Sequence, residues 1–151
     1  KNIDEKKLFE FLKDYCEKFK EKIDSSKEKR LMESMNFLKN KAKTLNDIYQ
    51  NAKYILNDNI VISNEDSKLL DNNSKKIIKD FIVDYEKVHT VTKESVEKIV
   101  NNLINKHKTN FKGVGQPLRI ALTGSKFGPG IYNIILSLKK DETIKRLKMI
   151  N

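Results

Sequence analysis

Apolar side chains recur at three- and four-residue spacing along most of the chain, which predicts a series of amphipathic helices. Asp4 is a suitable N-cap for the first helix, and capping signals at Ser25 and Thr44 predict the starts of two more. Phe9 falls outside the buried stripe of the first helix, whose apolar positions are Leu8, Phe11, Leu12, Tyr15, Cys16, Phe19 and Ile23. Three helices of this length can close a small bundle, which we assign to residues 1–58.

The helical pattern is interrupted at residues 57–59 and resumes in a second region, residues 59–151. Capping residues in this region predict helix starts at Ser63, at Asn73 or Ser74, and at Thr92. The predicted fold is therefore all-α, with two small helical subdomains.

All five glycines and both prolines of the chain fall within residues 113–130. Pro117 suits the first position of a helix and Gly124 the position just past its end, while Pro129 can open another helix. Asp141 predicts the cap of the last helix. Because glycine adopts positive φ and proline fixes φ, this segment is either a plain connector or a rigid loop shaped to hold a ligand.

The chain is strongly basic, with 31 basic and 21 acidic side chains and a formal net charge of +10 at pH 7. Nearly all the basic residues are lysine, since the arginines are only Arg30, Arg119 and Arg146. Abundant Lys, Asn and Ile indicate an AT-rich genome. Charge alone therefore leaves nucleic-acid binding and codon bias as equal alternatives.

The sequence offers no convincing arrangement of residues for catalysis or for metal binding. Cys16 lies on an apolar helix face and favours a core role, while His89 and His107 match no zinc spacing. The glycines around Ser125 and Lys126 do not follow the phosphate-loop spacing. No apolar run approaches the roughly 18 residues of a membrane span, and the first residues show no signal-peptide pattern. The chain alone does not look catalytic.

One stretch carries a specific resemblance. Residues 116–124 read QPLRIALTG, and residues 128–131 read GPGI. Together they closely resemble the C-terminal signature of bacterial-type glutamyl-tRNA synthetases, written QPLR-[VAI]-A-L-T-G and followed by a proline and an apolar helix. That helix ends near GKE and RL in the family. Here residues 138–142 read LKKDE and 146–147 read RL, with Lys139 where the family usually has glycine.

Two weaker matches lie upstream. Residues 43–45 (KTL) and 54–56 (YIL) are similar to the family's R-x-K-T-L and YFF helix pair. Residues 92–94 (TKE) are similar to the W-T-x-E that opens a helix there, with Val91 in place of Trp. The correspondence extends over roughly residues 30–147, which is most of the chain.

The resemblance implies an all-α anticodon-binding region whose partner is tRNA-Glu. By similarity, Arg119 and the loop residues Gly128, Pro129 and Ile131 should hold anticodon bases. Unpaired bases are read by splaying them out, and an arginine supplies a planar fork of donors for base or phosphate oxygens.

Two further positions come from the resemblance. Lys41 stands two residues before the Lys-Thr-Leu, where relatives that reject tRNA-Gln carry an arginine that reads the first anticodon base. Lysine lacks the fixed fork of arginine, so we expect tRNA-Gln to be accepted as well. Asn101 replaces a basic residue that contacts the anticodon in some relatives.

The parent enzyme implied by the resemblance is a glutamate–tRNA ligase, a class I aminoacyl-tRNA synthetase. Its Rossmann-type catalytic domain, with ATP and Mg, would precede Lys1, and the absence of an initial Met agrees with an excised piece. We expect no catalytic residue, metal or cofactor in this chain, no DNA or membrane partner, a monomer, and a cytoplasmic location.

Other interpretations stay open at this point. The chain could be a free-standing helical RNA-binding paralogue, or a basic helical protein-interaction module whose charge reflects genome bias. Arg119 could form a surface ion pair, Lys41 could be one solvated lysine among many, and the Pro129 loop could be a plain connector.

Overall fold

The computed structural model describes residues 4–150, which contain eight helices and no strand. The all-α prediction is therefore confirmed for the described part of the chain. The chain divides into two compact units, Lys1–Asn59 and Ile60–Asn151. The sequence pattern places the division one residue earlier, after Asp58.

The first unit is a bundle of three helices, α1 (Glu5–Phe19), α2 (Ser25–Leu38) and α3 (Leu45–Leu56), each in contact with the other two. Asp4 caps α1 as predicted, and Thr44 caps α3 in a reciprocal capping box with Asp47. The predicted cap of α2 is wrong by one residue. Asp24 is the N-cap and accepts a hydrogen bond from the Ser26 amide at 3.0 Å, so Ser25 is already helical.

The buried face of α1 differs from the predicted stripe. Phe9 is 7% exposed and belongs to the core, whereas Phe11 and Phe19 are 44% and 68% exposed. The buried positions Phe9, Leu12 and Cys16 are spaced by three and four residues and form a narrower stripe than the one predicted. Burial raises the pKa of the Cys16 thiol, as expected for a small core residue.

The second unit contains α4 (Asn64–Ser67), α5 (Asn72–Glu86), α6 (Lys93–Lys106), α7 (Phe111–Thr123) and α8 (Ile131–Lys148). Helix α7 contacts α5, α6 and α8, so it is the central element of this unit. Its buried side chains are Val114, Pro117, Leu118, Ile120, Ala121 and Leu122. Ser63 and Thr92 cap α4 and α6 as predicted, but α5 is capped by Asp71 rather than by Asn73 or Ser74.

The predicted start of α7 at Pro117 is wrong. The helix begins at Phe111, after Asn110, whose side chain accepts a hydrogen bond from the Gly113 amide at 2.8 Å. Pro117 therefore lies inside the helix, where it cannot donate to the carbonyl of Gly113. The full burial of Val114 and Leu118 offsets that loss.

Gly124 ends α7 as predicted, and the structure gives two reasons for glycine there. Its φ of +87° is left-handed, and a Cβ at this position would lie 2.5 Å from the carbonyl oxygen of Val61. The irregular segment before α4 thus packs directly on the end of α7.

Helix α8 begins after Gly130 rather than at Pro129, and it is bent at Lys139. Lys139 has φ 70° and ψ 169°, a conformation that glycine adopts readily and other residues rarely do. Residue 139 therefore separates the two helical parts of α8, and Asp141 does not cap a separate helix. Beyond the bend, Arg146 is buried, and its Nη1 donates to the Leu122 carbonyl at 2.8 Å, which satisfies an end group of α7.

Candidate nucleic-acid interface

A groove with a volume of about 410 Å³ lies along one face of α7. Phe111, Gly115 and Arg119 are spaced by four residues and therefore lie on one side of the helix. The groove is lined by Phe111, Lys112, Gly115, Gln116, Arg119, Lys126 and Phe127. Its three charged lining residues are all cations.

Arg119 connects the helix to the loop that follows it. The side chain is half-buried; Nε donates to the Pro129 carbonyl at 3.2 Å, and Nη1 donates to the Lys126 carbonyl at 3.0 Å. Burial lowers the pKa of the Arg119 guanidinium, which nevertheless stays charged because arginine titrates far above neutral pH. No carboxylate of residues 4–150 lies within 4 Å of it, so Arg119 is not the partner in a surface ion pair.

The loop between α7 and α8 is held by its own hydrogen bonds. The Ser125 amide donates to Thr123 Oγ1 at 3.2 Å, and the Phe127 amide donates to Ser125 Oγ at 3.0 Å. Gly128 has φ +134° and would place a Cβ in open space, so backbone conformation rather than crowding requires glycine here. With the two bonds from Arg119, the loop has a defined shape beside the groove.

Three predicted loop residues occupy different environments. Gly128 is exposed, whereas Pro129 is half-buried and its carbonyl accepts a hydrogen bond from Arg119. Ile131 is 1% exposed, so its side chain belongs to the core and only its backbone could reach a ligand. The Ile131 side chain lies beneath the groove, 3.8 Å from where a Cβ of Gly115 would be.

The other two predicted residues do not line the groove. Asn101 is exposed on α6. Lys41, in the first unit, is exposed in the turn after α2 with a left-handed φ of 62°. That turn is bonded through the Ala42 amide, which donates to the Lys39 carbonyl at 3.1 Å, and through the Lys43 amide, which donates to Asp47 Oδ2 at 2.9 Å.

The family described as "Anticodon binding domain" matches residues 7–150. The chain belongs to this family. The resemblance read from residues 116–124 is thereby confirmed at the level of the family.

Curated relatives of this anticodon-binding domain are glutamate–tRNA ligases. The ligase of Pelagibacter ubique is 54% identical over 147 residues, which cover 97% of this chain and 32% of that protein. Glutamate–tRNA ligase 2 of Zymomonas mobilis is 28% identical over 149 residues, covering 97% of this chain and 31% of that protein. The chain thus spans about a third of the length of the curated relatives it matches.

A solved structure shares the fold of the domain. It is the crystal structure of a glutamate tRNA ligase from Elizabethkingia meningosepticum in complex with its amino acid. The TM-score is 0.77 at 17% identity, and the match covers 97% of this chain and 29% of that one. At this identity the likeness establishes the fold alone.

Several groove residues of the domain escaped the sequence interpretation: Phe111, Lys112, Gly115, Lys126 and Phe127. One signal could have found them. Residues 98–140 carry eight basic and no acidic side chains, and both α7 and its loop lie inside that stretch. Across residues 60–151 there are seventeen basic and ten acidic side chains, so the second unit holds most of the excess positive charge. This surplus favours polyanions as partners.

Residues 4–150 contain no group of three or more histidine, cysteine or acidic side chains placed to hold a metal ion. His107 instead pairs with Asp80, Nε2 to Oδ2 at 2.8 Å, and Lys106 binds the same carboxylate oxygen at 3.0 Å. Burial raises the pKa of Asp80, but its bonds to Lys106 and His107 outweigh burial and leave the pKa below the usual range. In the same part of the chain, no helix has both the length and the apolar character to cross a membrane.

Proposed function

We propose that this chain is the anticodon-binding region of a glutamate–tRNA ligase, and that the groove along α7 receives unpaired anticodon nucleotides of tRNA-Glu. The observation that carries the proposal is the setting of Arg119. Its guanidinium is fixed by two backbone carbonyls of the loop, and the groove beside it contains Lys112 and Lys126 but no acidic side chain.

The arrangement suits single-stranded RNA for two physical reasons. Cationic side chains along a groove attract the phosphate backbone, and a guanidinium with its plane fixed can present its remaining donors to a base edge or a phosphate. Nη2 of Arg119 has no acceptor within residues 4–150, so a donor is available for this purpose. Gly128 and Pro129 place exposed main chain and the apolar proline ring close to the Arg119 guanidinium.

The proposal extends to the tRNAs that are accepted. Lys41 is exposed and carries a flexible point charge where discriminating relatives have an arginine fork. We therefore expect the parent enzyme to load glutamate onto tRNA-Gln as well as tRNA-Glu, and Lys41→Arg to raise the preference for tRNA-Glu. A preference above about a thousandfold in the unmodified enzyme would contradict this part of the proposal.

The remaining functions belong to the parent protein. Its catalytic domain would bind ATP and Mg and transfer glutamate to the tRNA, while this region supplies recognition. Relatives of about three times the length of this chain support such a division of labour. We expect the parent protein to act as a monomer in the cytoplasm.

The direct test measures binding of the chain to a fluorescein-labelled RNA hairpin that carries the anticodon loop of tRNA-Glu. A blunt duplex with the same stem sequence is the control ligand. We expect tighter binding to the hairpin, with affinity falling by about 0.7 log units per decade of salt for each phosphate contact. Equal affinity for hairpin and duplex would contradict the proposal.

Substitutions of Arg119 locate the site. Loss of charge-assisted hydrogen bonds in Arg119→Ala should weaken hairpin binding by about 10- to 100-fold. Arg119→Lys keeps the charge but not the fork and should also weaken binding, whereas the matched change Arg30→Lys on α2 should not. In the full-length synthetase, near-normal charging of tRNA-Glu by Arg119→Ala would remove Arg119 from recognition.

A further inference from the structure

Two of the seven residues that line the groove are exposed phenylalanines, Phe127 at 73% and Phe111 at 47%. Leaving a phenylalanine ring this exposed to water is unfavourable, because burial of the same apolar surface would stabilise the fold. The two rings lie at different ends of the groove. Phe111 is the first residue of α7, and Arg119 lies two helical turns after it. Phe127 is at the Arg119 end, because it follows Lys126, whose carbonyl accepts a hydrogen bond from Arg119.

Both phenylalanines are held in place rather than loosely exposed. The Phe111 ring packs against Tyr132 with ring centroids 5.8 Å apart, and a Cβ at Gly115 would touch the same ring at 3.6 Å. The Phe127 amide is tied to Ser125 Oγ at 3.0 Å, and the Lys126 ammonium lies 5.3 Å from the centre of the Phe127 ring. Both rings therefore present an aromatic surface to a groove whose lining also includes Lys112, Arg119 and Lys126.

An aromatic surface beside cations in an open groove suits one kind of ligand group. Unpaired nucleobases stack on aromatic side chains, and the adjacent cations interact with the phosphates on either side. An apolar peptide would use the rings but would bring no anionic group to Lys112, Arg119 and Lys126. A simple anion would use the cations but not the rings.

We propose that Phe127 and Phe111 are base-stacking residues of this groove, each covering one unpaired nucleobase of an RNA loop. The inference rests on the proposed function and adds the manner of contact to it. Stacking accepts any base, because every base has a π-face. Discrimination between bases would then come from Arg119 and the loop main chain, while the phenylalanines supply affinity.

The test uses the same RNA hairpin, with each unpaired loop nucleotide replaced in turn by an abasic residue. Phe127→Leu keeps an apolar side chain without a π-face and should weaken binding of the intact hairpin by about 5- to 100-fold. Phe127→Tyr should restore it. The matched control is Phe19→Leu, which alters a comparably exposed phenylalanine (68%) in the first unit and should leave affinity unchanged. Thermal unfolding confirms that each variant is folded.

A double-mutant cycle then identifies stacking itself. If Phe127 covers one base, the hairpin that lacks this base should bind the unmodified chain and Phe127→Leu equally well. Phe111→Leu should give the same result at a different loop position, with Phe111→Tyr as its conservative counterpart.

The outcomes separate the two proposals. If Arg119→Ala weakens hairpin binding but Phe127→Leu and Phe111→Leu bind normally, or if both are additive with every abasic position, the stacking inference fails and the proposed function stands. If the hairpin binds no better than the duplex, both fail.

Discussion

Replacement of Lys139 by glycine should stabilise the second unit. Lys139 has φ 70° and ψ 169° inside α8, a backbone conformation that costs a non-glycine residue about 1–3 kcal/mol. Its side chain is exposed and forms no ion pair within residues 4–150, so little is lost with it. Glycine gives back about 0.5–1 kcal/mol through the greater freedom of the unfolded chain. The expected net gain is about 1 kcal/mol.

Thermal unfolding followed by circular dichroism measures the effect. For a unit of this size, a gain of about 1 kcal/mol raises Tm by roughly 4–8 °C. Lys79→Gly is the matched control, because Lys79 is an exposed lysine in the regular interior of α5. There the same chemical change should lower stability by about 0.5–1 kcal/mol. Lys139→Ala keeps the strained backbone and should bring no gain.

The direction in which Lys139→Gly shifts Tm decides whether Lys139 is a strained position. If Lys139→Gly lowers Tm, or shifts it in the same direction as Lys79→Gly, the bend in α8 is not a strained position and the argument is refuted. A gain would also explain physically why the synthetase signature usually has glycine at this place, since only glycine adopts these angles without cost.

Three further predictions concern individual residues. Gly124→Ala should cost about 2–4 kcal/mol in urea unfolding, because a left-handed φ is combined with a contact of 2.5 Å to the Val61 carbonyl oxygen; a loss below about 0.5 kcal/mol would contradict this. Gly115→Ala should raise Tm through the higher helix propensity of alanine, since the new Cβ would lie at ordinary contact distances of 3.6 Å from Phe111 and 3.8 Å from Ile131. The same change should weaken RNA-hairpin binding because it narrows the groove. Unchanged binding would mean that the RNA does not use the groove floor. Asp80→Asn should lower stability at pH 7 by about 0.5–1 kcal/mol. Because the pKa of Asp80 is depressed in the folded state, its stabilising contribution is present above the unfolded pKa of about 3.9 and is lost as pH falls through the lower folded pKa. The difference in stability between Asp80→Asn and the unmodified chain should therefore shrink between pH 5 and pH 3. A constant difference would argue against the Asp80–Lys106–His107 cluster as its source.

The sequence predicts four of the eight helix starts in residues 4–150, those of α1, α3, α4 and α6, because capping is a local interaction. Asp4, Thr44, Ser63 and Thr92 cap the helices they were expected to cap, each through a backbone amide two or three residues away. Where aspartate and serine are adjacent, as at Asp24 and Ser25, both are good caps. The choice between them depends on which residue the tertiary fold leaves extended, and propensity does not contain that information.

The groove could not be predicted in the same way, because it is made by contacts between residues that are seven and ten positions apart. Arg119 was identified from its motif, but its two carbonyl partners in the loop follow only from how the loop returns over α7. Phe111 and Phe127 each look like an ordinary apolar residue in the sequence. Their exposure becomes informative only once the structure places both beside the same three cations.

Glycine and proline usually interrupt helices, but three of the seven that fall in residues 113–130 lie inside one. Gly113, Gly115 and Pro117 all lie within α7, which stays helical because its other faces are buried against α5, α6 and α8. The missing side chain at Gly115 leaves space between Phe111 and Arg119, where a larger residue would fill the groove. Only Gly124, Gly128, Pro129 and Gly130 form the turn. The segment is therefore a rigid helical platform joined to a short loop, and Arg119 is the residue that fixes one to the other.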